Sequence, residues 1–143
     1  MSLDPAGLGE LFRGTLAELL GIGFVEASLD RVVAEIPIRD ALTTVGGAVH
    51  GGTLMALADT VGAAATALSL PPGATTVTLE SKTNFLAAGR GGTVRAESTC
   101  LHRGRRTMVW QTRVTDAGGR VLSLTIQTQM ILGGDRAADR NRR

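Results

Sequence analysis

Residues 48–70 read "AVHGGTLMALADTVGAAATALSL", apolar or small at almost every position, with Asp59 the one carboxylate among them. The spacing and the Pro71-Pro72 pair beyond it predict a helix over 51–68. A helix apolar on every side has to be surrounded by other elements. Lipid is the wrong surrounding, because the window barely reaches spanning length and a charge near its centre is costly there. The expectation is a buried core helix around which the rest of the chain wraps.

The wrapping material is strand. "TTVTLESKTNFL", "GTVRAESTCLH", "TMVWQTRVTD" and "RVLSLTIQTQMIL" alternate with period two, and Leu122, Leu124, Ile126, Thr128 and Met130 fall on one face of the last. "AAGRGG", "RGRR" and "DAGG" between them read as hairpin turns, which makes the sheet largely antiparallel. Ahead of the central helix, residues 39–49 read as an irregular loop, and "IGFVEASLDRVVAEIPI" reads as two strands with Val32, Ala34 and Ile36 on one side. An amphipathic helix is expected over 5–20, carried by Leu8, Leu11, Phe12, Leu16, Leu19 and Leu20. The class is α+β, one domain over 1–132 with an antiparallel sheet around a long central helix, followed by a flexible Arg-rich tail over 133–143.

Several function classes fall away. The single cysteine, Cys100, excludes a disulfide framework, and a reducing, cytoplasmic setting follows; Asp4 and Glu10 sit where a secretion signal wants positive charge. Two histidines, His50 and His102, are too few for a metal-ligand motif. No nucleophile elbow, phosphate loop or dinucleotide fingerprint is present. Basic residues come with no tyrosine, three phenylalanines and one tryptophan, so no stacking surface for nucleic acid accompanies them.

What remains is His50-Gly51-Gly52 at the helix start and Asp59 seven residues after Gly52. Backbone N–H groups at a helix N-terminus are unsatisfied, carry partial positive charge, and are open to close approach where the residues are glycine. They suit an acyl carbonyl oxygen whose charge grows during attack, and Asp59 is a nucleophile or general base. Seven residues span about 10 Å of helix, too far for both ends to meet one carbonyl from a single copy. Two antiparallel copies across a two-fold bring the acid of one to the helix start of the other. The plainer alternatives are a capping role for His50 and a satisfied buried acid at Asp59.

"VHGGTLMALAD" and the strands that follow resemble the hotdog-fold acyl-CoA thioesterases, in the PaaI-like branch of the 4-hydroxybenzoyl-CoA thioesterase superfamily, over about residues 20–132. The specific element is H-G-G followed, after six residues, by D. The resemblance implies a hotdog fold, homodimers that pair into homotetramers, and an acyl-CoA substrate with CoA as part of it and no separate cofactor. It implies Asp59 as catalytic carboxylate, Gly51 N–H as the donor to the thioester carbonyl, and His50 shaping that end of the site. Relatives carry Asn or Gln where this chain has Thr44, a shorter side chain for orienting water. A polar residue early in the next strand assists in relatives, matching Thr76 or Thr78. Arg90, Arg103, Arg105 and Arg106 fall where relatives receive the CoA phosphates and adenine, their other reading being solvated turn charges. Gly52, Leu54, Met55, Ala63 and Phe85 are the expected lining of the acyl site. A non-catalytic acyl-CoA sensor or carrier on the same fold is the alternative, and a hotdog dehydratase a distant third.

Overall fold

A computed structural model describes residues 4–134, so most of the expected tail lies outside the described residues. The central helix α3 (Gly51–Ala67) lies against one face of a six-stranded sheet built from β1 (Gly23–Ala27), β2 (Arg31–Pro37), β3 (Ala74–Phe85), β4 (Thr93–Arg103), β5 (Thr107–Thr115) and β6 (Val121–Gly133). Every strand pair is antiparallel, and the order across the sheet is β1-β2-β4-β5-β6-β3. This is the hotdog arrangement.

The core forms where the helix meets the sheet. Leu54, Leu57, Val61, Ala64 and Ala65 pack with Val32, Ala34, Ile36, Val94, Ala96, Trp110, Val114 and Leu122. Because the sheet wraps most of α3, only a stripe along Gly52, Met55, Ala56, Asp59, Thr60, Ala63 and Ala67, with Gly51 at its start, is left partly open.

Three expectations change. The helix expected over 5–20 is two short ones, α1 (Pro5–Leu11) and α2 (Leu16–Leu20). Gly14 takes a left-handed φ of 73° between them, and its N–H donates to Glu18. Leu8 is buried and Phe12 stacks on Phe24 at 5.5 Å, whereas Leu16 and Leu19 are exposed. Next, "AAGRGG" is a crossover and not a hairpin turn, because β3 pairs with the last strand and lies at the sheet's edge. The crossover runs past the start of α3, tied there by Val49 N–H to the Gly89 carbonyl and Leu86 N–H to the Leu122 carbonyl, both 2.8 Å.

The third change concerns β6. Leu124, Ile126, Thr128 and Met130 do share a face, but it is the outer one, and they are only half-buried. Their neighbours Ser123, Thr125, Gln127 and Gln129 are fully buried on the helix side, where the register sets Gln127 opposite Trp110 and Gln129 opposite Met108. Leu122 joins the core through a register shift at the start of the strand. A polar row under an apolar helix needs partners: the Gln127 and Gln129 amides find them around Asp59 and Thr125 bonds Thr83, whereas Ser123 Oγ has none among the described residues.

Candidate active site

His50 is the N-cap of α3, with extended backbone and a side chain turned back on the helix. Its Nδ1 accepts the Gly52 N–H at 2.7 Å, so the imidazole carries its hydrogen on Nε2. The N–H groups of Thr53 and Leu54 donate to the His50 carbonyl at 2.9 and 3.2 Å. Of the first four helix amides, this leaves Gly51 N–H without an acceptor among the described residues. The ring of Phe85 lies against the same residue: a Cβ on Gly51 would come within 3.2 Å of its Cε1 and Cζ. Beside them opens a cavity of about 390 Å³ lined by Val49, Gly51, Leu54, Phe85 and Leu86, among others.

Asp59 sits two turns further along, half-buried on the open stripe of the helix, with Met55 and Ala63 one turn to either side. Thr78 Oγ1 donates to Asp59 Oδ1 at 2.7 Å, and Gln127 Nε2 donates to the same oxygen at 3.2 Å. Behind Thr78 the chain of bonds continues. Gln129 Nε2 donates to Thr78 Oγ1 at 2.7 Å, and Thr76 Oγ1 bonds the Gln129 Oε1 and the Met130 carbonyl, both at 3.0 Å. Of the two expected threonines, Thr78 touches the acid and Thr76 touches its supporting glutamine.

A bulge makes this possible. In β3 the register slips between Thr78 and Glu80, leaving Leu79 extra. Without the slip, period-two alternation would send Thr78 and Ser81 to opposite faces; with it, both share the side of their partners Gln129 and Gln127.

The other expected residues lie further out. Thr44 is exposed in the turn before α3, where its N–H donates to the Ala48 carbonyl at 2.7 Å. Arg90 belongs to the helix-start end and donates to the Gly46 carbonyl at 2.6 Å. Arg103 lies at the opposite end of β4, paired with Asp30 at 2.9 Å, and Arg105 and Arg106 follow in the same hairpin. The 11 residues of β4 separate the two groups, roughly 35 Å at about 3.3 Å each. One protomer therefore does not bring Arg90 and the hairpin arginines together. Among the described residues no cluster of His, Cys, Asp or Glu could hold a metal ion.

The sequence profile of the thioesterase superfamily matches residues 46–123, more than half of the chain and the part that carries His50, Gly51, Asp59 and Thr78. The chain belongs to the thioesterase superfamily. It is 30% identical over 125 residues to the 1,4-dihydroxy-2-naphthoyl-CoA hydrolase of Escherichia coli, covering 87% of this chain and 92% of that one. To the enzyme of the same name from Listeria monocytogenes it is 28% identical over 110 residues, 77% of this chain and 89% of the relative. The crystal structure of a thioesterase from Haemophilus influenzae superposes with a TM-score of 0.88 at 28% identity, covering 93% of each chain. The protein is thus a thioester hydrolase with the hotdog fold.

Two residues of this thioesterase's site escaped the reading of the sequence: Gln127, which bonds the acid, and Gln129, which supports Thr78. Both lie beyond the matched segment, in a strand whose apolar alternation draws attention to the other face. Their signal was the run "TIQTQM", in which Thr125, Gln127 and Gln129 keep one face of an interior strand polar.

Proposed function

We propose that the protein hydrolyses acyl-CoA thioesters to free CoA and a carboxylic acid, with Asp59 supplying the attacking power and Gly51 N–H holding the carbonyl oxygen. The observation that carries this reading is the pairing of one unsatisfied helix-start amide with one hydrogen-bonded carboxylate on the only open stripe of α3. In one route an Asp59 oxygen bonds to the thioester carbon, the C–S bond breaks, CoA leaves as a thiolate that takes up a proton, and water hydrolyses the resulting anhydride. In the other, Asp59 takes a proton from a water whose oxygen attacks, and the thiolate leaves in the same way. Both routes consume one water. Label found in Asp59 after a single turnover in ¹⁸O-water establishes the first route, with water attacking the Asp59 carboxyl carbon. Label found only in the product acid leaves the second route or attack at the acyl carbon, which trapping of the anhydride with hydroxylamine tells apart.

The site is completed by a second copy. Gly51 and Asp59 lie eight residues apart, about 12 Å along the axis, so one thioester reaches both only if they come from different copies. Edge strand β3 offers its unpaired edge for that pairing, and Val77 and Leu79 on this strand are 45% and 56% exposed. A two-fold there sets the helices antiparallel and gives two equivalent sites. It also lets Arg90 of one copy and the hairpin arginines of the other approach one CoA, where guanidinium suits phosphate. Pairs of dimers make the proposed tetramer.

The names of the relatives support a CoA thioester and put aryl-CoA first in a substrate panel. The test is CoA release, followed with a thiol reagent across aryl, short-chain and long-chain acyl-CoA, in wild type and Asp59→Asn. Expected is turnover that falls by roughly a thousandfold or more in the variant at unchanged fold, the scale seen when a member of a catalytic group is removed. Full activity in Asp59→Asn overturns the assignment; binding without CoA release in wild type favours the carrier.

A further inference from the structure

We infer that Gln127 is a positioning residue for Asp59, that Gly62 exists to admit it, and that the acid works through Oδ2. The inference rests on the hydrolase reading above and goes further by assigning roles to the two carboxylate oxygens. Both hydrogen bonds received by the Asp59 carboxyl, from Thr78 and Gln127, go to Oδ1; Oδ2 has no partner among the described residues. Gln127 Nε2 also lies 3.5 Å from the Asp59 backbone carbonyl, so one amide nitrogen spans the main chain and the side chain of the same residue. That is the geometry of a clip on the side-chain torsion. Thr78 in turn accepts from Gln129, which directs its own hydrogen to Oδ1. One oxygen is fully used in orientation, which leaves the other for substrate.

Gly62 is the counterpart one turn further along the same side of the helix. Glycine inside a helix is unfavourable by up to about 1 kcal/mol relative to alanine, and Gly62 is neither at a cap nor in a left-handed conformation. A Cβ there would lie 2.5 Å from Gln127 Cδ and 2.7 Å from its Nε2. The amide occupies the volume of the missing methyl group. Gln127 is fully buried, and its Oε1 has no hydrogen-bond partner among the described residues. An unpaired buried acceptor is destabilising, a cost that Gln127 shares with Ser98, Thr112 and Ser123, among others; what sets Gln127 apart is its donor. Its donor side faces the acid, and there lies its use.

The test sets activity against stability. Gln127→Met keeps length and an unbranched stem but removes the donor and the unpaired acceptor. Expected is a kcat lower by roughly 10- to 100-fold, the scale of a small misplacement of a reacting group, with KM within about threefold and Tm unchanged or raised. In the Asp59→Asn background the same change should cost nothing further. Gly62→Ala is the second variant: it should lower kcat in wild type and have no further effect in Gln127→Ala, where its methyl group has room. Wild-type kcat in Gln127→Met, alongside an inactive Asp59→Asn, overturns the positioning role and leaves the hydrolase reading standing. Loss of kcat and Tm in proportion, or independent effects of Gly62→Ala and Gln127→Ala, overturns it too. An Asp59→Asn protein as active as wild type instead strikes the reading beneath it.

Discussion

Replacing His50 with Ala should separate the capping of the central helix from its chemistry. The side chain is exposed, and its one hydrogen bond among the described residues is that received by Nδ1 from Gly52 N–H at 2.7 Å, so truncation removes a cap and no core packing. Losing an N-cap acceptor costs about 1 kcal/mol, within a range of roughly 0.5–2. For a chain of this length that lowers Tm by roughly 2–5 °C. The helix start that frays carries Gly51, so the same free energy sets the effect on catalysis: about fivefold in kcat. Asn is among the best N-cap residues, its side-chain oxygen reaching a nearby helix amide, so His50→Asn should recover most of the lost Tm and kcat. Thermal unfolding by circular dichroism and steady-state CoA release, on wild type and the two variants, measure both quantities. An Ala variant that melts with wild type, or an Asn variant no better than Ala, refutes the cap. A kcat loss beyond a hundredfold in Ala, not restored by Asn, refutes the idea that capping is all His50 does.

Other outcomes follow from the same geometry. Gly89→Ala places a Cβ 2.6 Å from Cδ1 of fully buried Leu122, so it should cost about 1–3 kcal/mol in chemical denaturation; unchanged stability would mean the crossover loop is free to move away. Leu79→Lys puts like charges across the proposed two-fold in place of apolar contact. Losing about 2 kcal/mol per copy, doubled by symmetry, weakens dimerisation by about three orders of magnitude. Light scattering should report monomer and the assay no turnover, whereas an active monomer contradicts the shared site. On the outer face, Arg31 bridges Glu26 and Glu97, and its hydrogen bond holds the Glu97 carboxyl below the ordinary carboxylate value. A lowered folded-state value means stability present above the unfolded-state value and lost as pH falls through the folded one. Glu97→Gln should therefore lose up to about 1 kcal/mol at neutral pH, little for a part-exposed pair, and nothing in acid. Urea unfolding at both pH values checks it, and an equal loss at both removes the electrostatic cause.

Much of this protein was legible in the residues themselves. A helix apolar all round, its two flanking glycines, a lone Asp59 and a series of alternating strands require a sheet curled about a core helix, because local periodicity and burial demand it. Helix spacing also places Gly51 and Asp59 too far apart for one copy, which follows from rise per residue alone. Pairing is another matter. Nothing near "AAGRGG" distinguishes a hairpin from a crossover; that β3 lies beside β6 is decided by contacts some fifty residues apart in sequence. The inner face of β6 was hidden for a related reason. Alternation separates two faces of a strand without saying which is inward, and here Gln127 and Gln129 point inward, where they have partners on Asp59 and β3. The slip at Leu79 that aims Thr78, the capture of Gly52 N–H by His50, and the fit of Gln127 into the space at Gly62 are likewise tertiary decisions. Each depends on where two distant pieces of backbone meet to within a fraction of an ångström, a distance that no local pattern encodes.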